Sequence, residues 1–141
     1  MKVIGYTTGV FDLFHIGHLN VLRNARAKCD ELIVGVTTDE LTLQRKNKAP
    51  VVPYAERAEI VANIRFVDRV VPQHSVDQVD AWHELRFSRL FKGDDWKGSP
   101  EWNRWEELLS PLGVEIFYLP YTAHTSSTLL RDVLGKLDAA S

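Results

Sequence analysis

Short apolar runs alternate with segments of helical periodicity along the whole chain, and this alternation is the feature that most restricts its fold. The apolar runs have the length of buried strands and lie at residues 3–8, 32–36, 67–71, 87–91 and 114–119. The segments between them place apolar residues three and four positions apart, at residues 18–28, 54–64, 75–83, from 99 onward and from about 126 onward. Such alternation predicts a Rossmann-like, doubly wound α/β fold, in which helices cover both faces of a five-stranded parallel sheet.

The size and composition of the chain limit its class. Its 141 residues, 45% of them hydrophobic, suit one domain over residues 1–141. The formal net charge of -2 gives no footprint for nucleic acid and no attraction to an acidic membrane surface. The single cysteine, Cys29, excludes an internal disulfide and fits a reducing compartment. Since the sequence also shows neither a signal peptide nor a membrane span, we expect a cytoplasmic protein without membrane or nucleic-acid partners.

The segment after the first strand, residues 9–18, carries the strongest chemical signal in the chain. Ligands of doubly wound sheets bind beyond the carboxyl ends of the strands, where this segment lies. It places His15 and His18 around Gly17 at a predicted helix start, whose free N–H groups attract phosphate oxygens. Both imidazoles can donate to one phosphate chain, and Gly17 lets the backbone approach it closely. Nucleotidyl transfer needs such donors, because negative charge grows on the equatorial and leaving oxygens.

Other interpretations of the histidines follow from the residues alone. Polar residues are common at helix starts, so His15 and His18 also fit a solvated helix terminus, which is the more frequent case. Closely spaced histidines also suit zinc, for which Asp12 would have to serve as a third ligand. The sequence lacks both the G-x-x-x-x-G-K-[ST] phosphate loop and the G-x-G-x-x-G dinucleotide turn, so two common nucleotide motifs are absent.

The stretch GVFDLFHIGH resembles the signature of the cytidylyltransferase-like nucleotidyltransferases. Further stretches are similar to one branch of that family, in order, at residues 38–40, 43–48, 54–57, 64–68, 92–96 and 126–128. The resemblance covers nearly the whole chain. It implies a transferase that uses CTP and a phosphorylated small alcohol, with sn-glycerol 3-phosphate giving CDP-glycerol and pyrophosphate. It also implies Mg²⁺ carried by the triphosphate, and a homodimer.

The resemblance implies a role for individual residues. The implied catalytic residues are His15, His18 and Lys48, with Lys48 favoured over Lys46 as the flap lysine that meets the phosphates. The implied nucleotide-binding residues are Gly9, Val10, Phe11, Asp12, Gly17, Lys46, Gly93, Asp94, Thr122, Ser126 and Ser127. The implied acceptor-binding residues are Asp39, Arg57, Arg65 and Trp96. Asp12 is expected to orient either Mg²⁺ or a neighbouring side chain.

These regions also have structural interpretations. Residues 39–53 form a long predicted connection, whose basic residues suit a solvated loop as well as a phosphate-binding flap. Ser75 is the predicted cap of the fourth helical segment. In the structural interpretation, the hydroxyl residues before the last helix only cap it. Arg57 and Arg65 are then surface arginines whose stems cover apolar area, and Trp96 is a partly buried packing residue. The last helix is expected to turn an apolar stripe toward the core, formed by Leu130, Val133, Leu134 and Leu137.

Departures from the family pattern leave the substrates open. Val10 stands where this branch has threonine, Tyr121 where it has arginine, and His124 where it has glycine. The lost arginine removes a positive charge from the expected phosphate site. ATP is therefore an alternative nucleotide, and another alcohol or sugar phosphate is an alternative acceptor. A non-catalytic nucleotide-binding module on the same fold is the alternative of another class.

Overall fold

The five strands of the described residues form one parallel sheet. The computed structural model describes residues 1–120 and 127–140 and, within the second segment, the side chains of residues 129–137. The strands are β1 (Ile4–Gly9), β2 (Glu31–Thr37), β3 (Arg69–Gln73), β4 (Arg89–Gly93) and β5 (Glu115–Leu119). Their order in the sheet is β3-β2-β1-β4-β5, and every neighbouring pair is parallel. The predicted fold class is confirmed.

Helices cover both faces of this sheet. In the described part of the chain they are α1 (Ile16–Arg26), α2 (Asp39–Lys46), α3 (Tyr54–Ala62), α4 (Gln78–Leu85), α5 (Pro100–Leu109) and α6 (Ser127–Ala140). Leu22 of α1 and Val61 of α3 pack with Val34 on one face. Trp102 of α5 packs with Ile33 on the other face, where side chains of α4 join the same cluster. Successive residues of β2 therefore point into different cores, as expected for a sheet buried on both sides.

The strand order creates a ligand-binding crevice. The chain runs from β1 outward through β2 to β3, and then crosses back to place β4 and β5 on the other side of β1. The connections that follow β1 and β4 therefore leave the sheet in different directions. Ligands of open parallel sheets bind at such a switch point, beyond the carboxyl ends of the strands.

Two strands begin and end later than the apolar runs predicted. β3 spans Arg69–Gln73 and not residues 67–71, because an edge strand tolerates Pro72 and continues to Gln73, whose carbonyl accepts from Thr38 N–H. β4 spans Arg89–Gly93 and not residues 87–91. Phe87 is buried before the strand begins, because its ring stacks on Tyr6 at 4.9 Å, so the apolar run starts ahead of the ladder.

The predicted long loop at residues 39–53 is partly helical. Its first half is α2, which begins after Thr38 and ends at Asn47 in the left-handed conformation. The Thr38 hydroxyl accepts from Leu41 N–H, and the acidic residues Asp39 and Glu40 occupy the first turn. Similarly, α4 is capped by Asp77 and not by Ser75, since the Asp77 carboxylate accepts two helix N–H groups.

The apolar stripe of α6 is not buried in this chain. Val133, Leu134 and Leu137 are 46%, 44% and 61% exposed, so the expectation that they face the core is wrong for the single chain. None of the helices within residues 1–120 and 127–140 combines the length and apolar character needed to cross a bilayer.

Candidate active site

A cavity of about 650 Å³ opens at the carboxyl ends of the strands. It lies at the switch point between β1 and β4, and the loop between β1 and α1 forms one wall. Many of the predicted site residues line it: Gly9, Val10, Phe11, Asp12, His15, Gly17, His18, Lys46, Lys48, Gly93 and Trp96. The fold thus brings both motif histidines and both candidate lysines to one cavity.

The two histidines form the amino end of α1. His15 is the N-cap, so the helix begins at Ile16 and not near His18. His15 Nδ1 accepts from Gly17 N–H at 3.0 Å, and His18 Nδ1 accepts from His15 N–H at 3.2 Å, which is a reciprocal capping box. The ring centroids lie 4.0 Å apart. Because each Nδ1 is an acceptor, each neutral ring carries its proton on Nε2, which is the donor left for a ligand.

Both imidazoles are neutral at pH 7. Burial lowers the pKa of His15, and burial together with the nearby His15 ring lowers the pKa of His18 to about 4. Aromatic rings cause much of this burial, since Phe11 and Phe14 contact the His18 ring with centroids 5.4 Å and 5.2 Å away. A neutral imidazole with an engaged Nδ1 acts as a hydrogen-bond donor. The histidine pair therefore presents two oriented N–H groups and not two cations.

The loop before α1 is held in a strained backbone conformation. Phe11 and Leu13 have φ angles of 53° and 50°, in the left-handed region that non-glycine residues avoid. Such residues cost about 1–3 kcal/mol each and persist only where the surroundings hold them. Phe11 is held because its side chain is only 6% exposed and packs in the core. A Cβ at Gly9 would lie 2.9 Å from that ring, so the tight loop requires glycine there.

Among the described residues, α2, the segment after it and α6 contribute four cations to the cavity: Arg45, Lys46, Lys48 and Arg131. Burial, reinforced by the neighbouring Arg131 and Arg45, lowers the pKa of Lys46. The Nε of Arg131 is buried and has no hydrogen-bond partner among the described residues. The combination of clustered positive charge with helix N–H groups and imidazole donors suits a polyphosphate.

Asp12 lines the cavity, but its carboxylate is engaged by donors of the protein. It is 2% exposed, and its carboxylate accepts from Val51 N–H, Val52 N–H and Arg131 at 2.8, 2.9 and 2.6 Å. Burial alone would raise the pKa of this carboxyl, but the two N–H groups and the guanidinium outweigh it and hold the pKa below its usual value. Of the two expected roles, the structure supports orientation of a neighbouring side chain. The described residues include no group of three or more His, Cys, Asp or Glu placed to hold a metal ion.

Arg57 and Asp39 bond to each other, and Arg57 also bonds to the loops beside the cavity, whereas the resemblance implies that both residues contact the acceptor. The side chain of Arg57 is fully buried. It donates to the carbonyls of Val52, Val10 and Thr37 at 2.8, 2.6 and 2.8 Å, and to the Asp39 carboxylate at 2.6 Å. These acceptors come from the loop after β1, the end of β2, and both sides of α2. Arg57 therefore positions the loops that form the cavity, and its fully buried side chain does not line the cavity itself.

Other predicted residues also lie away from the cavity wall. Arg65 is exposed and lies three residues before Asp68. The Asp68 N–H donates to the Leu32 carbonyl near the amino end of β2, so this segment lies at the end of the sheet opposite the cavity. Asp94 is exposed and does not line the cavity, whereas its neighbour Asp95 does. Thr122 and Ser126 lie outside the described residues, as do Tyr121 and His124. Ser127 is the first residue of α6, and its side chain is not among those described.

Sequence reasoning missed several cavity residues. Arg131 lies one turn into α6, four residues after Ser127. A basic residue one turn after a hydroxyl-rich helix start was the signal in the sequence that could have indicated it as an anion-binding residue. Lys92 directly precedes Gly93 at the end of β4, and nothing in the sequence pattern distinguishes it from the rest of the stretch 92–96. Gln78 begins α4, and nothing in the sequence pattern set it apart from a surface glutamine.

The fold and the site together define a nucleotide-processing α/β domain, in which oriented donors and cations converge on one polyanion site. The sequence matches the family described as Cytidylyltransferase-like over residues 6–133. The chain therefore belongs to the cytidylyltransferase-like family of nucleotidyltransferases.

Individual relatives agree with this assignment. The chain is 34% identical over 141 residues to glycerol-3-phosphate cytidylyltransferase of Bacillus subtilis (strain 168), which covers 96% of this chain and 98% of that protein. A shorter match, 48% identical over 63 residues, is to FAD synthase of Pyrococcus abyssi and covers 45% of this chain and 43% of that protein. The crystal structure of the lipopolysaccharide core biosynthesis protein from Thermoplasma volcanium has a TM-score of 0.72 at 22% identity, covering 89% of this chain and 100% of that one. This last likeness is one of fold.

Proposed function

We propose that this chain transfers a cytidylyl group from CTP to sn-glycerol 3-phosphate, giving CDP-glycerol and pyrophosphate. The observation that carries the proposal is the pair of neutral imidazoles at the amino end of α1, each with Nε2–H left for a ligand, beside four cations of the described residues. The choice of CTP and of a glycerol phosphate is supported by the similarity to the Bacillus subtilis enzyme over nearly the whole chain.

In the proposed reaction, an oxygen of the acceptor phosphate attacks the α-phosphorus of the nucleotide in line with the leaving group. A new P–O bond forms as the bond from the α-phosphorus to the bridging oxygen breaks, and pyrophosphate departs with the electron pair. The attacking phosphate is already anionic, so no general base is required. The enzyme's contribution is to orient the reactants and to stabilise growing negative charge.

Each group of the site has a part in that stabilisation. His15 and His18 donate Nε2–H to phosphate oxygens, while Lys46, Lys48 and Arg131 balance the charge of the departing pyrophosphate. The amino end of α6 adds backbone N–H groups on the facing side. A fixed N–H donor binds an oxygen more strongly as the negative charge on that oxygen increases. The two imidazoles therefore stabilise the transition state more than the bound substrate.

Magnesium is proposed to enter with the nucleotide. The Asp12 carboxylate is occupied by three donors, so it does not fit the role of a protein ligand to the ion. Mg²⁺ bound to the triphosphate would belong to the substrate complex, which agrees with the expectation that the triphosphate carries it.

The substrates are best tested with a panel of nucleotides and acceptors. CTP, ATP, GTP and UTP are each combined with sn-glycerol 3-phosphate, phosphocholine, phosphoethanolamine and a sugar phosphate, and pyrophosphate release is measured. We expect turnover with CTP and sn-glycerol 3-phosphate. Turnover with ATP alone would favour an adenylyl transfer, the alternative that the departures from the family pattern at Tyr121 and His124 leave open. CTP binding without turnover on any acceptor would contradict the enzymatic proposal and favour a binding module.

We also propose that the chain forms a homodimer through α6. The exposed side chains of Val133, Leu134 and Leu137 form an apolar face that a second copy would cover. Sedimentation velocity is expected to show a dimer, and Leu137→Asp is expected to shift it to the monomer. A monomer in the unmodified protein would contradict this proposal.

A further inference from the structure

Arg45 and Glu101 form an ion pair that joins two walls of the cavity. The Nη2 atom of Arg45, near the carboxyl end of α2, lies 3.7 Å from Oε1 of Glu101, in the first turn of α5. Both residues line the cavity. Since α2 follows β2 and α5 follows β4, the two helices leave strands that lie on opposite sides of β1 in the sheet. The pair therefore spans the switch point, where ligands of such sheets bind.

This ion pair is weak enough to open easily. The side chains of Arg45 and Glu101 are 41% and 37% exposed, and the 3.7 Å between their charged atoms is longer than a charge-assisted hydrogen bond. Ion pairs between exposed side chains contribute little to stability, because water screens the charges and fixing two long side chains costs entropy. The contact therefore adds little to the stability of the fold, and another anion can replace the carboxylate at small cost.

Glu101 places a negative charge in a cavity that is otherwise rich in cations. Its pairing partner Arg45 is one of the four cations contributed by α2, the segment after it and α6. Burial lowers the pKa of Lys92, and the carboxylates of Asp95 and Glu101 oppose that shift. The positive charges of Arg45 and Lys46 reinforce it. These groups therefore act on one another across the cavity, and Glu101 neutralises part of the positive charge that would attract a polyphosphate.

A phosphate group competes with Glu101 for the guanidinium of Arg45. Guanidinium groups bind phosphate oxygens through paired N–H donors, which is a stronger contact than a loose ion pair. A carboxylate at the same place also repels the phosphate, because the two charges have the same sign. We propose that the Arg45–Glu101 pair is an electrostatic gate, which the triphosphate of the incoming nucleotide opens by replacing Glu101 at Arg45. This inference rests on the proposed function and extends it to the control of nucleotide entry.

The same exchange runs in reverse when pyrophosphate leaves. Glu101 takes back Arg45, so the guanidinium regains a partner of opposite charge as the product departs. The gate therefore lowers the affinity of the site for pyrophosphate as well as for the nucleotide. Because product release limits the turnover of many enzymes, a lower affinity at this step favours release.

Calorimetric titration with inorganic tripolyphosphate tests the gate, because this probe carries the phosphates of a nucleotide and needs no acceptor. Glu101→Gln removes the negative charge and keeps the size of the side chain. We expect it to bind tripolyphosphate about fivefold more tightly than the wild type at low ionic strength, the scale of one exposed ion pair. High salt is expected to shrink this gain. Glu107→Gln is the matched control, with the same change of net charge at an exposed position on α5 outside the cavity, and its affinity is expected to stay within about twofold of the wild type.

A double-mutant cycle separates exchange at Arg45 from general repulsion. Arg45→Met is expected to weaken tripolyphosphate binding, since it removes a cation from the site. In that background, Glu101→Gln is expected to lose most of its gain, because no guanidinium remains to be released. An equal gain in both backgrounds would show that Glu101 acts only as a distant negative charge, and would overturn the gate. An unchanged affinity in Glu101→Gln alone would overturn it as well.

Turnover provides a second measurement of the same exchange. With CTP and sn-glycerol 3-phosphate, Glu101→Gln is expected to lower KM for CTP without raising kcat, and pyrophosphate is expected to inhibit it at about fivefold lower concentration. Weaker inhibition by pyrophosphate would contradict the gate. Absence of pyrophosphate release with every acceptor would remove the proposed function, whereas tighter tripolyphosphate binding by Glu101→Gln would still support the gate.

Discussion

Replacing Arg57 by methionine separates a positioning role from a substrate contact. Methionine keeps an unbranched apolar stem but removes every donor, so the carbonyls of Val10, Thr37 and Val52 lose their partner. The Asp39 carboxylate, which is 41% exposed, loses its counter-ion but can regain water. Breaking a buried charged network of this size costs about 3–5 kcal/mol, and we expect about 4 kcal/mol for Arg57→Met. A domain of 141 residues would lose about 13 °C in Tm.

Urea unfolding followed by circular dichroism measures the change in the free energy of unfolding. Arg65→Met is the matched control, because Arg65 is exposed and is expected to change the free energy by less than about 0.5 kcal/mol. Activity of Arg57→Met is expected to fall as well, since the Val10 carbonyl anchors the loop that carries the histidines. If Arg57 instead touched the acceptor, its variant would keep wild-type stability and raise only KM for the acceptor. That result would refute the assignment of Arg57 as a positioning residue.

Further predictions follow from the same contacts. The pKa of His18 is about 6.5 in the unfolded chain and about 4 in the folded chain, so the unfolded chain takes up this proton first as the pH falls. The contribution of His18 to the free energy of unfolding is therefore complete above pH 6.5, and up to about 3 kcal/mol is lost between pH 6.5 and pH 4. His18→Gln is expected to flatten that part of the stability–pH curve from urea unfolding, and an unchanged curve would contradict the low pKa. Because Lys46 is the partly desolvated lysine whose charge influences His18, Lys46→Met is expected to lower kcat/KM for CTP more than Lys48→Met does. A larger loss at Lys48 would restore the order of importance that the resemblance implies. Gly35→Ala adds a Cβ that would clash with the Tyr6 hydroxyl. We expect this substitution to lower the free energy of unfolding by about 1–3 kcal/mol in the same urea assay.

The parts of the site that the sequence predicts are those built from neighbouring residues. His15, Gly17 and His18 lie within one turn of helix, so their convergence follows from local geometry once a helix start is placed there. The parallel sheet was predictable for a similar reason, because the apolar runs are short, regular and separated by helical segments. β2 shows this well, since its nearly continuous apolar run is typical of a strand buried on both faces.

The missed features depend on contacts between distant segments. Arg57 has the sequence context of a surface arginine, and only the packing of α3 behind the β1 and β2 loops reveals that it is buried. Lys92 lies at the end of β4 and Gln78 at the start of α4, and the two line one cavity only because of the order of the strands in the sheet. The helix α2 was within reach, since Thr38 followed by two acidic residues is a helix-start signal, but the basic residues of that stretch favoured a loop.

The central claim is that two oriented imidazoles stabilise the phosphates as pyrophosphate leaves, and His18→Ala tests it most directly. Pyrophosphate release from CTP and sn-glycerol 3-phosphate is measured for the wild type and the variant at saturating substrates, with folding checked by circular dichroism. Loss of one transition-state donor predicts a fall in kcat of at least about two orders of magnitude with the fold retained. A folded His18→Ala variant that turns over near the wild-type rate would contradict the account.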